Sequence, residues 1–261
     1  MVFGGLVLAA VVLCAIAPDL LTGYDPEAVD PVDMLLPPGG DHLFGTDQLG
    51  RDIFSRVVHG ARPSLVIGLA ATALAVVAGS LMGMLAGFFG GWVDMVLMRV
   101  VDVLQAFPPL LLALAVVAVL GGGIVGVTLA VGVASVAGFA RLMRAEVLRV
   151  RSRPFVEAAT VNGVSRWSIL GRHVVPNAMG PVAVLGVLCV GLTIFSASSL
   201  SFLGFGPKPP TAEWGALVAA GRDFISTAWW MTTFPGLAVA LTVLAATMVS
   251  RSHDVAAGAL R

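Results

Sequence analysis

The sequence predicts an all-α, polytopic membrane protein with six transmembrane helices. Three observations carry that reading. Of 261 residues, 58% are hydrophobic and only 11% are charged. Mean hydropathy is +0.97. The apolar residues gather into six runs, separated by polar or glycine- and proline-rich segments. Soluble domains carry roughly 25% charged residues, and much of a soluble protein's exterior must face water. Lipid is therefore the solvent for most of this chain. Crossing it takes about 20 apolar residues over roughly 30 Å. The runs cover about 2–17, 64–87, 96–120, 124–143, 179–203 and 229–249.

The first run is short. It begins at Met1 with no basic residues before it, which leaves a start further upstream open. A signal peptide competes, with Ala15-Ile16-Ala17 as its cleavage site, but the positive leading region it needs is absent. Cys14 and Cys189 both fall inside apolar runs and read as small hydrophobes rather than a disulfide or metal pair. Residues 18–50 carry seven acids and no Lys or Arg. Leu49, Ile53, Val57 and Ala61 then recur every four residues, with Arg51, Asp52, Arg56 and His59 elsewhere on the wheel. That spacing predicts an amphipathic helix over 47–62 lying on the membrane surface, capped by Thr46 or Asp47.

Gly79, Gly83 and Gly87 form a small-residue seam along the second run, where another helix can approach closely. Arg99 and Asp102 are spaced to pair on one helix face. An inner-end position spares them most of the cost of a charge at mid-bilayer. Pro108-Pro109 must break or kink the third run, because proline lacks an N–H donor and clashes with the preceding turn. Gly121-Gly122-Gly123 makes a tight outer turn. Ser196, Ser198, Ser199 and Ser201, in or near the fifth run, read as hydrogen-bonding partners for a neighbouring helix or as the lining of a path.

Orientation follows from Lys and Arg in short loops. With both termini inside, the inner segments (87–107, 139–180 and 250–261) hold ten of the fifteen basic residues. Residues 141–172 dominate, with seven arginines against Glu146 and Glu157. Within this polar stretch, Pro154 suits the first turn of a helix and Gly163 its end. Ser165 can cap a second helix through Trp167, Ile169, Leu170 and His173, which Pro176 ends. Ala158 and Ala159 give a smooth side, Glu157 one charge, and Phe155, Trp167, Ile169 and Leu170 exposed apolar surface. These features predict a protein-docking element. The alternative is a lipid-surface helix held to anionic headgroups by arginines.

Four motifs add a family resemblance. Glu157-Ala158-Ala159-x3-Gly163-x9-His173-x2-Pro176-Asn177 resembles the coupling motif of the permease subunits of binding-protein-dependent ABC importers. Its His-x-x-Pro-Asn ending is similar to the dipeptide, oligopeptide and nickel branch. The second is Phe44-Gly45-Thr46-Asp47-x2-Gly50-Arg51-Asp52, with Ser55-Arg56 and Gly60-Ala61-Arg62 after it. The third runs from Gly87 through Gly90-Gly91, Asp94, Met98-Arg99 and Asp102 to Ala106-Phe107-Pro108. The fourth is Leu200-Ser201-Phe202-Leu203-Gly204-Phe205-Gly206, then Trp214-Gly215. Together they span residues 42 to about 249, and the resemblance is closest to the C-type permease of dipeptide importers. The tail, Ser252-His253-Asp254, departs from the family ending.

The resemblance implies a MetI-like type I importer permease in a bacterial inner membrane, with both termini cytoplasmic. Residues 1–63 would form the first helix, an extracytoplasmic loop and the amphipathic segment; 64–250 the permease core, with a coupling loop at about 144–178; and 251–261 a cytoplasmic tail. Implied partners are a homologous second permease, two ABC ATPase subunits, an extracytoplasmic substrate-binding protein and the bilayer, with no nucleic acid. ATP and Mg would sit on the ATPase subunits and no cofactor on this chain. Glu157, Ala158, Ala159, Gly163, His173, Pro176 and Asn177 would meet an ATPase. Gly45, Thr46, Asp47, Gly50, Arg51 and Asp52 would lie near the binding protein. Di- and oligopeptides are the implied cargo, although nickel, glutathione or haem would use a similar scaffold.

Absent motifs narrow the field. No Gly-x4-Gly-Lys-Ser/Thr phosphate cradle occurs, and the single lysine, Lys208, sits among prolines. His42, His59, His173 and His253 are scattered, which predicts no metal site. No catalytic constellation is visible, so the chain is not expected to be an enzyme. A secondary transporter should carry ionisable groups near the midplane, and no residue here must sit there. A membrane scaffold would not explain four motifs.

Overall fold

Two long parallel helices in close contact organise the bundle. They are α2 (Ile53–Phe89) and α5 (Gly123–Arg151) in a computed structural model that describes the backbone of residues 2–258 and the side chains of residues 3–250. The glycine seam explains their proximity. A Cβ on Gly79 would come within 2.6 Å of the Val136 carbonyl oxygen, and one on Gly83 within 2.2 Å of the Ala140 oxygen. Any side chain there would force the two backbones apart. Phe88, Phe139, Met143, Val147 and Val150 fill the seam's elbow end with an apolar core.

The other elements surround this pair. They are α1 (Val2–Ile16), α3 (Gly91–Gln105), α4 (Pro109–Leu120), α6 (Pro154–Val161), α7 (Arg166–Ile169), α8 (Val175–Leu200), α9 (Trp214–Gly221) and α10 (Trp230–Gly258). Four runs are long and apolar enough to cross a membrane: Ile53–Phe89, Gly123–Arg151, Arg166–Phe205 and Trp230–Ser250. The first expected span, α1, is apolar but has only 15 residues. The third expected span is broken, because α3 and α4 meet at 95°. Pro108 removes a donor and pushes Phe107 away from helical geometry, and Pro109 opens α4 from its first position. Six predicted spans thus become four long helices, one bent pair and one short helix.

The bundle has two distinct ends. One, the loop end, gathers residues 17–52, the glycine turn before α5, and residues 206–229. The other, the elbow end, carries residues 152–174. Gly4 lies against Met248 and Val249, so the start of α1 packs on α10 at the end opposite the loops. The tail 251–261 lies outside the residues whose side chains are described.

Several local expectations are corrected. The surface helix over 47–62 is absent: its residues from Ile53 onward are the first turns of α2, and Asp52 caps them, accepting from the Ser55 N–H at 2.6 Å. Arg99 does not pair with Asp102; Arg141 of α5 donates to that carboxylate at 2.8 Å. Ser198 and Ser201 are buried with no hydrogen-bond partner among the described residues, and the Ser199 hydroxyl donates back to the Phe195 carbonyl, so none of the three bridges helices. Cys14 and Cys189 are free thiols in apolar surroundings, as expected.

Candidate functional site: an elbow and a knot

The elbow is a helix, a glycine turn and a second helix, as the sequence predicts. Arg153 precedes Pro154, and α6 runs to Val161. Gly163 turns the chain at φ +75°, a left-handed conformation that glycine adopts without a Cβ penalty. The Ser165 hydroxyl then caps α7, accepting from the Ser168 N–H at 3.4 Å. The second helix does not stop at Pro176. A π turn over Leu170–Val174 carries it without a break into α8. That turn's looser bonding accommodates the missing proline donor. Asn177 reinforces the join, its side-chain amide donating to the His173 carbonyl at 2.7 Å. His173, Pro176 and Asn177 thus lie at the join between elbow and span.

Burial sorts the elbow's residues into two sides. Val156, Ala159, Ile169, Leu170 and Val174 are buried in the core shared with Phe88, Val147 and Val150. Ile169 and Leu170 are therefore not exposed, and Ala159 points inward while Ala158 points outward. The helical period places 156 and 159 on the inner face and 157 and 158 on the outer. Phe155, Glu157, Ala158, Val161 and Trp167 form the exposed ridge. Glu157 has no ion-pair partner among the described residues.

Two supports lay beyond the sequence reading. Phe89, at the end of α2, packs against Trp167 with ring centroids 5.2 Å apart. Arg151 donates to the Phe88 carbonyl at 3.0 Å. Beside the ridge lies a groove of about 550 Å³, walled by Phe88, Phe89, Arg151, Glu157 and Arg166. An aromatic pair directly after the second apolar run is the signal that could have drawn Phe88 and Phe89 into the site.

The knot at the loop end is built differently. Asp47 accepts from the backbone N–H groups of Leu49 and Arg51, at 2.8 and 3.0 Å, and from the Arg51 guanidinium at 2.7 Å. Arg56 approaches the same carboxylate at 3.8 Å and donates to the Pro26 carbonyl at 2.8 Å. The Thr46 hydroxyl donates to the Asp33 carbonyl, and the Trp230 indole donates to the Thr46 carbonyl at 3.0 Å. Gly45 and Gly50 take φ values of +74° and +75°. A Cβ on Gly45 would strike the Trp230 ring.

His42 closes the knot. Its Nδ1 lies 2.9 Å from Asp52 and its Nε2 3.4 Å from Asp33. Burial alone would lower its pKa; hydrogen bonds to Asp52 and Asp33 outweigh that and hold it above its ordinary value. Thr46, Asp47, Arg51 and Asp52 are all buried. The motif is a frame, and the surface it holds up belongs to exposed neighbours such as Val32, Leu43 and Leu49.

Glu213 was not singled out by the sequence. It is 1% exposed, accepts from the Gly215 and Ala216 N–H groups, and caps α9 against Ser64 of α2. An acid one residue before Trp214-Gly215 was the available signal. Among the described residues no group of three or more His, Cys, Asp or Glu side chains could hold a metal ion.

Helices long and apolar enough to cross a membrane, with a structured, outward-facing elbow at one end and a tied loop at the other, define a multi-pass membrane protein. The chain belongs to the family of binding-protein-dependent transport system inner membrane components, whose profile matches residues 79–254. It is 38% identical, over 95% of its length and 82% of the relative's, to the dipeptide transport system permease protein DppC of Alkalihalophilus pseudofirmus. It is 39% identical to a probable D,D-dipeptide transport system permease protein of Escherichia coli K12, over 93% of this chain and 82% of that one. A glutathione transport system permease protein of Pectobacterium atrosepticum is 40% identical, over 94% of this chain and 81% of the relative. The fold matches the MetNI methionine ABC transporter in inward-facing conformations, with a TM-score of 0.57, 15% identity, and coverage of 76% of this chain and 95% of that one. An amino acid ABC transporter gives 0.59 at 13% identity, covering 77% of this chain and 94% of that one. The architecture is that of an ABC type I importer permease.

Proposed function

We propose that this permease forms half of the translocation path for di- and oligopeptides, driven by separate ATPase subunits that dock on the elbow. The observation that carries the coupling assignment is the ridge of Phe155, Glu157, Ala158 and Trp167, exposed above an apolar core. Exposed apolar side chains beside an unpaired acid suit a protein partner better than water. The groove beside the ridge gives that partner a place to insert. The core beneath continues into α2, α5 and α8, so force on the elbow passes to three spans rather than into a flexible loop. In this reading the elbow and both termini are cytoplasmic, ATP and Mg belong to the ATPase subunits, and a homologous permease completes the pore. The knot faces the exported binding protein, which touches the frame's exposed neighbours. Peptide cargo is supported by the names of the dipeptide relatives; the glutathione relative carries a peptide-like substrate by name as well.

Affinity purification of the tagged permease from its native membrane tests this reading. Recovery of ATPase subunits, a second permease and an exported binding protein is the expected result. Reproducible recovery of a stable chain with no ATPase would reject it. The captured binding protein then supplies the cargo test: di- and tripeptides should bind it in calorimetry, and binding of nickel or haem alone would reject peptides.

A further inference from the structure

Helix α3 is poorly covered by the rest of the bundle, with Val101 its one buried residue. Its inner face packs Met98, Val101 and Leu104 onto Met82, Ala137 and Ala140. Its outer face carries Trp92, Val96, Val100 and Val103, all exposed and all within one helical strip. Arg99 borders that strip, is exposed, and pairs with no described residue. We propose that α3 lies in the membrane plane at the elbow-end boundary between hydrocarbon and headgroups, and that Arg99 binds the phosphate of an anionic phospholipid there.

Direction and depth both support this placement. The following helix, α4, packs along the spanning helix α5, and α3 is turned 95° from α4. A helix perpendicular to a span runs along the bilayer surface. Depth follows from the length of α5, whose first residue, Gly123, lies at the loop end beside the glycine turn. Arg141 and Arg144, which anchor α3, stand about five to six turns further on, or roughly 27–32 Å at 1.5 Å per residue. That is one hydrocarbon thickness.

The charges fit the same boundary. Asp94 takes two hydrogen bonds from Arg144, at 2.5 and 2.6 Å, and Asp102 takes one from Arg141 at 2.8 Å. These pairs fasten α3 to α5 and neutralise both acids. A notch of about 330 Å³ remains between the helices, lined by Asp94, Met95, Met98, Asp102, Arg141 and Arg144. Arg99 lies one turn from both Met95 and Asp102. The Arg141 side chain is half exposed at the notch. With both acids already paired, Arg99 has no acid partner among the described residues, and a phosphodiester is its natural complement. Trp92 sits at the start of the helix, and indole rings favour this depth.

The test uses the complete transporter in nanodiscs. Trp92 emission is isolated as the difference between wild type and Trp92→Phe, in discs with and without lipids brominated on their acyl chains. Phospholipids retained after detergent extraction are counted by native mass spectrometry for wild type, Arg99→Gln and Arg99→Lys. The expected results are loss of most Trp92 emission in brominated discs, and loss of retained phosphatidylglycerol in Arg99→Gln with recovery in Arg99→Lys. Unquenched Trp92 emission would mean that a protein partner covers the strip, and would overturn the proposal. Equal phosphatidylglycerol retention by wild type and Arg99→Gln would overturn the headgroup site.

Discussion

The elbow and the knot carry the two most motif-like stretches of this chain, yet they spend their residues in opposite ways. In the knot Thr46, Asp47, Arg51 and Asp52 turn inward and find their partners within the loop end. In the elbow the core is aliphatic, and Glu157 and Ala158 are left facing outward without partners among the described residues. A buried charged network is costly to break, because a surviving partner is stranded away from water. An exposed ridge is cheap to alter in the free subunit and expensive only once something binds it. Motif residues at the knot should therefore control stability, and those at the elbow should control docking.

The sharpest break of this contrast is Asp47→Ala. It strands Arg51 and Arg56, which are 6% and 4% exposed. The expected loss is about 3–5 kcal/mol, read as a lower melting temperature in detergent and poor accumulation in the membrane. Unchanged melting would mean that the knot does not hold the loop end.

The neighbouring alanines of the elbow sharpen the contrast within one motif. Ala159→Leu overpacks the core and should cost about 1–3 kcal/mol. Ala158→Leu should change melting by no more than about 0.5 kcal/mol while weakening ATPase association. Melting curves and co-purification on both variants check the pair. Equal behaviour of the two would erase the inner and outer faces assigned to α6.

A smaller effect concerns pH. A neutral imidazole has one N–H donor, so holding both Asp33 and Asp52 favours the imidazolium of His42. Because the folded protein raises this pKa above its ordinary value of 6.5, the stability it adds is fully present below that value. It is lost as pH rises through the folded pKa. Wild type should therefore lose more melting temperature than His42→Gln between mildly acidic and alkaline buffers. Parallel pH profiles would remove His42 from the knot's energetics.

Much of this arrangement was legible in the sequence because its signals are local. The Gly79-Gly83-Gly87 spacing marked a close helix contact, though not its partner, Pro108-Pro109 marked the break before α4, and Pro154, Gly163 and Ser165 marked the elbow's turns. What failed to show was decided by distant partners. Arg99 and Asp102 have ideal helical spacing, but Arg141, 39 residues away, takes the acid. The 47–62 pattern reads as a surface helix because its polar side meets residues 19–47, which periodicity cannot see. Pro176 reads as a stop unless the preceding π turn is known. Which of Ala158 and Ala159 faces inward depends on the phase of α6 against Phe88 and Val147, and composition is silent on phase.

Glu157→Lys in the reconstituted transporter tests the central claim most directly. The subunit should melt as wild type does and remain in the membrane, because Glu157 is exposed and contributes to no buried network. Binding-protein-stimulated ATP hydrolysis and peptide uptake should both fall, and ATPase subunits should wash off more readily. Normal uptake with tightly held ATPase subunits would contradict the assignment of the elbow as the coupling site.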